Sequence, residues 1–350
     1  MSLHEPVAGP RIDALQWLRA LAAGMVLVGH VIAEVEHYGG LREGLAAALP
    51  WTRGVDVFFV ISGVVIALSA ARWEGGPGGF LWRRVLRVVP LYWLFTTLMV
   101  VALVVAPGGV KETELEPGQI VASYLFLPWE RHDGRIAPVL SLGWTLNYEM
   151  FFYLLAAGAL VWRWPRRAWA LVAALALLAV AGALWRPEGV AVRFWTNAIL
   201  LEFAFGVGIA AALQRWGAVH RPGLALVVFG AGLAAMVGLH GSALPRFIAA
   251  GLPSAVMVAG PVLLLRGGAA GWTGRMGLRL GDASYALYLS HRFVLRLATL
   301  AVLPLVPEGG LWLFVGGVCL AATGVSLAVF AWIERPLLAR LQPQGRAAAA

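Results

Sequence analysis

About ten blocks of apolar sequence, each near twenty residues long, follow one another along this chain of 350 residues. Such blocks leave little choice of fold. Inside hydrocarbon every backbone N–H and C=O must be paired within the chain, so spanning segments form helices or a closed barrel. Blocks of this length suit helices, which rise 1.5 Å per residue across a hydrocarbon core of ~30 Å. The blocks read as spans at 12–33, 55–71, 85–106, 142–162, 168–185, 195–213, 222–240, 245–266, 283–304 and 311–333. Apolar residues make up 60% of the chain and charged residues 13%, well away from the balance of a soluble domain. The expectation is an all-α integral membrane protein with about ten transmembrane helices.

The net charge of +9 does not point to nucleic acid, because the arginines stand in short clusters between apolar runs. With the N-terminus inside, the cytoplasmic segments carry roughly twice as many basic residues as the opposite side. That bias places both termini in the cytoplasm. Lys111 is the lone lysine, and the Arg and Ala bias suggests a bacterial source, hence the inner membrane. The single cysteine, Cys319, excludes an intramolecular disulfide and a cysteine-based metal site, and the histidines lack metal-ligand spacing. No cleavable signal peptide is evident, and the first apolar block reads as a retained span. The longest outside loop, 107–141, carries Glu112, Glu114, Glu116, Glu130 and Asp133. Its apolar patch Ile120–Trp129 is too short to cross and reads as a re-entrant or interfacial segment. Residues 1–340 read as one transmembrane domain and 341–350 as a disordered tail.

Ionisable residues within a bilayer are costly, so each is a candidate for function. Arg19 and His30, in the first span, are eleven residues apart. That is about three turns, so they share a face and stand ~16 Å apart along the axis. An extended pantetheine arm has a similar reach, which would let Arg19 hold a phosphate while His30 sits near a thioester. Asp56 lies at a depth similar to His30 and suits either orientation of that imidazole or capping of its own helix. Arg83, Arg84 and Arg87 stand at a cytoplasmic helix start, with Arg83 and Arg87 on one face. Guanidinium groups suit phosphate, and they also suit plain positive-inside anchoring. Pro90 is expected in the first turns of that helix.

Glu149 lies in the outer part of the fourth span beside Trp144 and Tyr148. It is placed to pair with an arginine or to bind a sugar hydroxyl with those two aromatics. In the ninth span Ser284, Tyr288 and Arg292 form a polar stripe, followed by Arg296, with His291 next to Arg292. Arg292 needs a partner such as Glu149 or a ligand phosphate. Glu202 is a further buried acid in no motif, and Glu334-Arg335-Pro336 closes the last span. Glycines such as Gly24, Gly29 and Gly63 would either leave a tunnel or let helices pack closely. A GxSxG elbow, a Walker loop, HExxH and a GxGxxG after a strand are all missing.

Taken together, the chain resembles the membrane acyltransferase-3 family. The resemblance rests on Leu18-Arg19 with ten residues before His30, the GVDVFFVISG run from Gly54, FLWRRVLRVVPLYW from Phe80, WTLNYEMFFY from Trp144, SYALYLSH from Ser284 and IERP from Ile333. These elements keep the family's order from residue 11 to about 336. The variants Leu15-Gln16-Trp17-Leu18-Arg19, ISG, PLYW and GWTLNYEMFFY look like the subgroup that decorates bacterial exopolysaccharide. Many members instead carry Asp near Gln16, and some fuse a soluble esterase-like domain that this chain lacks. Related members acylate lipopolysaccharide, peptidoglycan, Nod factors and macrolides.

The resemblance implies a cytosolic acyl-CoA donor, no permanently bound cofactor, and a glycan or lipid-linked saccharide as acceptor. It carries the catalytic role to His30 and donor handling to Arg19, Arg83, Arg84 and Arg87; Asp56 and Glu149 join the catalytic set on the residue reading above. Tyr288 and Arg292 are expected beside the thioester. Trp144, Tyr148 and His291 are expected on the acceptor. Two rivals stand beside this reading. Buried His, Arg and Glu also build proton-coupled transporters, although no paired interrupted helices are visible. A non-catalytic subunit of a polysaccharide export machine would share the same architecture.

Overall fold

The structure is a computed structural model that describes residues 12–106, 116–266 and 271–341. Arg11, the loop charges Lys111, Glu112 and Glu114, and the tail from residue 342 lie outside the described residues.

Every described element of length is helical, as the apolar blocks require, and the one isolated bridge pairs Glu130 with Ile136. In order the helices are α1 Asp13–Gly39, the single turn α2 Leu45–Ala48, α3 Gly54–Ala71, α4 Pro77–Val105, α5 Pro117–Tyr124, α6 Trp144–Gly158, α7 Arg166–Trp185, α8 Val190–Trp195, α9 Leu200–Trp216, α10 Pro222–Gly238, α11 Leu252–Leu264, α12 Gly271–Asp282, α13 Ser284–Ala301, α14 Leu311–Val329 and α15 Arg335–Leu341. Among the described residues, 8 stretches are long and apolar enough to cross a membrane. They coincide with eight of the expected blocks. The other two are shorter. α10 has 17 residues and α6 has 15, extended by 3₁₀ turns at Ser141–Gly143 and Ala159–Val161. At 1.5 Å per residue α10 reaches about 26 Å, a little less than the hydrocarbon thickness, whereas α6 with its 3₁₀ turns, at about 2 Å per residue, reaches about 34 Å.

Two expectations about boundaries change. α4 starts at Pro77, a residue whose fixed φ suits the first turn, so the arginine cluster is helical and Pro90 lies well inside the helix. The apolar patch from Ile120 forms the eight-residue α5, after which the chain turns back through the bridge to Ile136. The patch does not span, as expected from its length.

α1 is the centre of the bundle, touching α3, α12, α13 and α14. α13 runs parallel to it: Gly281 abuts Gln16, His291 meets His30, Arg296 meets Glu34, and Leu303 reaches Gly39. The segment after α1 folds back along it, so that Trp51 sits on Gly29 and the Ala46 amide donates to Glu36 at 2.7 Å. α3 runs the opposite way and packs on α9. That contact is backbone on backbone. A methyl group on Gly63 would collide with the Phe203 carbonyl, and one on Gly206 with the Val60 carbonyl. Gly29 and Gly63 therefore serve close packing, the second of the two roles open from sequence, while Gly24 has open space before it. π-helical turns occur at Phe247–Gly251 and Phe330–Glu334, each adjoining a buried ionic group described below.

The α3–α9 contact gives a stability test. Gly206→Leu should cost about 1–3 kcal/mol or more through overpacking, seen as a lower unfolding midpoint in detergent. Gly24→Leu should leave the midpoint nearly unchanged. Equal midpoints for the two variants would contradict the contact.

Candidate functional site

Two helices supply the chemical centre. α1 projects His30 and α13 projects His291, and their rings meet with Nδ1 of His30 2.9 Å from Nε2 of His291. The second ring is anchored in turn, its Nδ1 lying 2.9 Å from the Leu287 carbonyl oxygen, one turn earlier on α13. A carbonyl can only accept, so the proton sits on His291 Nδ1 when that ring is neutral. His291 Nε2 is then an acceptor, and His30 Nδ1 must be the donor. The lone pair of a neutral His30 is left on Nε2. A single backbone carbonyl thus sets the tautomer of both rings.

Next to the pair lies a cavity of about 150 Å³ between α1, α3, α4, α6 and α13. Its wall at Tyr288 adjoins His291, the two ring centroids being 6.4 Å apart. The upper wall is apolar, with Val55, Phe58, Phe59 and Leu146. The far end carries Arg19, Arg84 and Arg87. Arg87 pairs with Glu334 at 3.2 Å, presented by the second π-helical turn, and Arg84 donates to the Ser69 hydroxyl. Arg19 has no hydrogen-bond or ion-pair partner among the described residues. Glu149 faces the same cavity and accepts from the hydroxyls of Ser62, at 3.2 Å, and Tyr153. Three guanidinium groups converge at this end, with Glu334 paired to Arg87 and with Glu149 and Asp282 near enough to act on Arg19. This end suits an anionic group, and bidentate contact from guanidinium suits phosphate.

A second ionic group lies on another side of α3. Arg246 holds Asp56 with two bonds, Nε to Oδ1 at 2.8 Å and Nη2 to Oδ2 at 2.9 Å. Glu202 stands behind, with Oε1 3.8 Å from Arg246 Nε. Both carboxylates are fully buried. The Arg246 guanidinium also lies 5.6 Å from the Trp144 ring, and Tyr148 stacks on Phe194 with centroids 3.9 Å apart.

Several expected placements are revised by these contacts. Asp56 does not orient His30. Both of its oxygens are taken by Arg246, and the Nδ1 of His30 is engaged by His291 instead. His291, expected at the acceptor, is the partner of His30. Arg84 and Arg87, three residues apart, face the cavity together, while Arg83 lies exposed over the Trp73 ring at 4.8 Å. Glu149 sits among the cavity arginines rather than with Trp144 and Tyr148. The Tyr288 hydroxyl is committed, donating to the Leu142 carbonyl at 2.9 Å and meeting Thr145 Oγ1 at 2.9 Å. Arg292 is half-buried and has no hydrogen-bond or ion-pair partner among the described residues. Arg246, at the outer start of the block 245–266, carried no signal in the sequence and was not singled out. Tyr153 and Ser62 were also missed, although both lie within the quoted motifs.

The sequence model of an acyltransferase domain, the acyltransferase-3 type, matches residues 12–331. An exopolysaccharide production protein, ExoZ of Rhizobium meliloti, is 33% identical over 297 residues, covering 82% of this chain and 89% of that protein. The acyltransferase MdmB of Streptomyces mycarofaciens is 28% identical over 319 residues, covering 82% of this chain and 79% of that protein. No solved structure matches.

The pairing of Asp56 predicts that Arg246→Ala destabilises the fold by about 3–5 kcal/mol, because a buried carboxylate loses its counter-charge. The check is thermal unfolding of detergent-purified protein, and Asp56→Asn combined with Arg246→Gln should recover much of the loss. Full stability of Arg246→Ala alone would show that the pair does not hold α3 in place.

Proposed function

The chain belongs to the acyltransferase-3 family, and from that premise we propose that it is an O-acyltransferase moving an acyl group from acyl-CoA to a hydroxyl of an exopolysaccharide or related envelope glycan. The reading extends to a multi-pass protein of a bacterial inner membrane, with the donor entering from the cytosol. The observation that carries it is the arginine-lined cavity whose wall at Tyr288 stands next to His291, the partner of His30. The name of the Rhizobium relative favours exopolysaccharide as the acceptor.

The chemistry follows from the tautomers. The acceptor hydroxyl gives its proton to His30 Nε2 while its oxygen attacks the thioester carbonyl carbon. The tetrahedral oxyanion then collapses, the C–S bond breaks, and the leaving CoA sulfur takes the proton back from Nε2. An ester and free CoA are formed, with no net change in protons. His291 acts as a positioning residue, since its bond to Nδ1 holds the His30 ring with Nε2 outward. Arg292, charged and unpaired beside the rings, is placed to stabilise the oxyanion. Arg19, Arg84 and Arg87 hold the CoA phosphates, and Glu149 fixes the hydroxyls around them.

Purified protein with radiolabelled acetyl-CoA and longer acyl-CoAs tests this reading. His30→Ala should lower acyl transfer by about 10²–10⁴-fold while acyl-CoA binding persists. His291→Ala should fall between that variant and wild type. His291→Gln should recover part of its loss, because the amide can accept from His30 and donate to Leu287. Arg84→Gln should weaken acyl-CoA binding by at least about ten-fold, whereas Arg87→Gln should weaken it and also lower the unfolding midpoint, because the buried Glu334 loses its counter-charge. Wild-type protein that neither binds nor turns over any acyl-CoA would remove the enzyme reading.

A further inference from the structure

Past the histidine pair, the seam between α1 and α13 carries polar groups that the transfer step leaves unused. Glu34 lies one turn beyond His30 on the same face of α1, and Arg296 lies five residues beyond His291 on α13. Arg296 Nη1 is 3.4 Å from Glu34 Oε1, and its guanidinium stands 5.1 Å from the Tyr38 ring, a further turn along α1. The group is open to its surroundings, with the Arg296 and Glu34 side chains 23% and 14% exposed and Tyr38 on the surface. It lies on the opposite side of the histidine pair from the cavity arginines, toward the C-terminal end of α1.

The ion pair is long, at 3.4 Å, and partly exposed. Pairs of that kind contribute little to stability, so its retention in the seam calls for another reason. A carboxylate that accepts, a guanidinium fork that donates and a neighbouring aromatic ring match the surface of a pyranose, whose hydroxyls do both and whose C–H face is apolar. On the acyltransferase reading the donor enters from the arginine end of the cavity, which leaves this end for the acceptor hydroxyl.

We propose that Glu34, Tyr38 and Arg296 form the acceptor subsite, which grips a sugar ring of the glycan so that one hydroxyl reaches His30 Nε2. This rests on the acyltransferase reading, and its test is built to fail separately. The assay uses the detergent-purified full chain, acetyl-CoA, and de-esterified extracellular polysaccharide of the producing bacterium. Transfer to polysaccharide, slow acetyl-CoA hydrolysis without acceptor, and the unfolding midpoint are measured for Glu34→Gln, Tyr38→Ala, Tyr38→Phe and Arg296→Gln. The expected result is an acceptor KM raised at least about ten-fold in all but Tyr38→Phe, with acetyl-CoA KM and hydrolysis within about two-fold of wild type. Tyr38→Phe should stay near wild type because the ring face is kept. Unchanged acceptor KM, or loss of hydrolysis together with a lower midpoint, overturns the subsite. A wild type that hydrolyses acetyl-CoA yet acylates only a non-saccharide acceptor overturns it as well. A wild type with no acetyl-CoA turnover instead removes the premise.

Discussion

A charge placed in hydrocarbon must be matched, and that constraint sorts the polar residues of this bundle. Asp56, Glu202 and Arg246 satisfy one another and tie α3, α9 and the turn before α11 together. Arg87 and Glu334 do the same for α4 and the last π-helical turn. What remains unmatched is informative. Arg19 at the floor of the cavity has carboxylates near it but none in direct contact, Arg292 beside the imidazoles has no ion-pair partner among the described residues, and both flank the space where an anionic substrate and its transition state would lie. In a membrane protein an unpaired guanidinium is a stronger indication of ligand chemistry than a paired one.

The second organising feature is smaller. The Leu287 carbonyl belongs to an ordinary helical turn, yet it fixes the proton on His291 and through it the proton on His30. A carboxylate in the same place would hold a protonated imidazole more strongly. A neutral imidazole partner in a fixed tautomer instead orients without adding a charge to the bilayer interior, where a charge is expensive.

Much of the architecture was legible in the sequence, because apolar block length maps directly onto helix length. The partners were less so. Arg19 and His30 share one helix, so their common face could be counted off. His30 and His291 are 261 positions apart, and nothing local announces that they meet. Asp56 was misread for the same reason: depth along a helix could be estimated, but not which neighbour turned toward it, and Arg246 carried no signal. The choice between Arg83 and Arg84 depended on where α4 begins and on Trp73, which draws Arg83 away from the cavity. Gly63 was ambiguous alone and became plain once Gly206 stood opposite.

That glycine contact bears on how the cavity can change size. α3 forms one wall of it, and the back of α3 rests directly on the α9 backbone, with no side chain between to yield. The facing wall, α4, meets α13 through side chains instead, Phe95 on Phe293 and the Tyr285 hydroxyl on the Val88 carbonyl, and its later turns expose Val101, Val104 and Val105. The cavity therefore resembles a vice with one fixed jaw. Accommodation of a bulkier acyl group would be a displacement of α4, and relatives that differ in acyl preference would differ along that movable jaw rather than along α3.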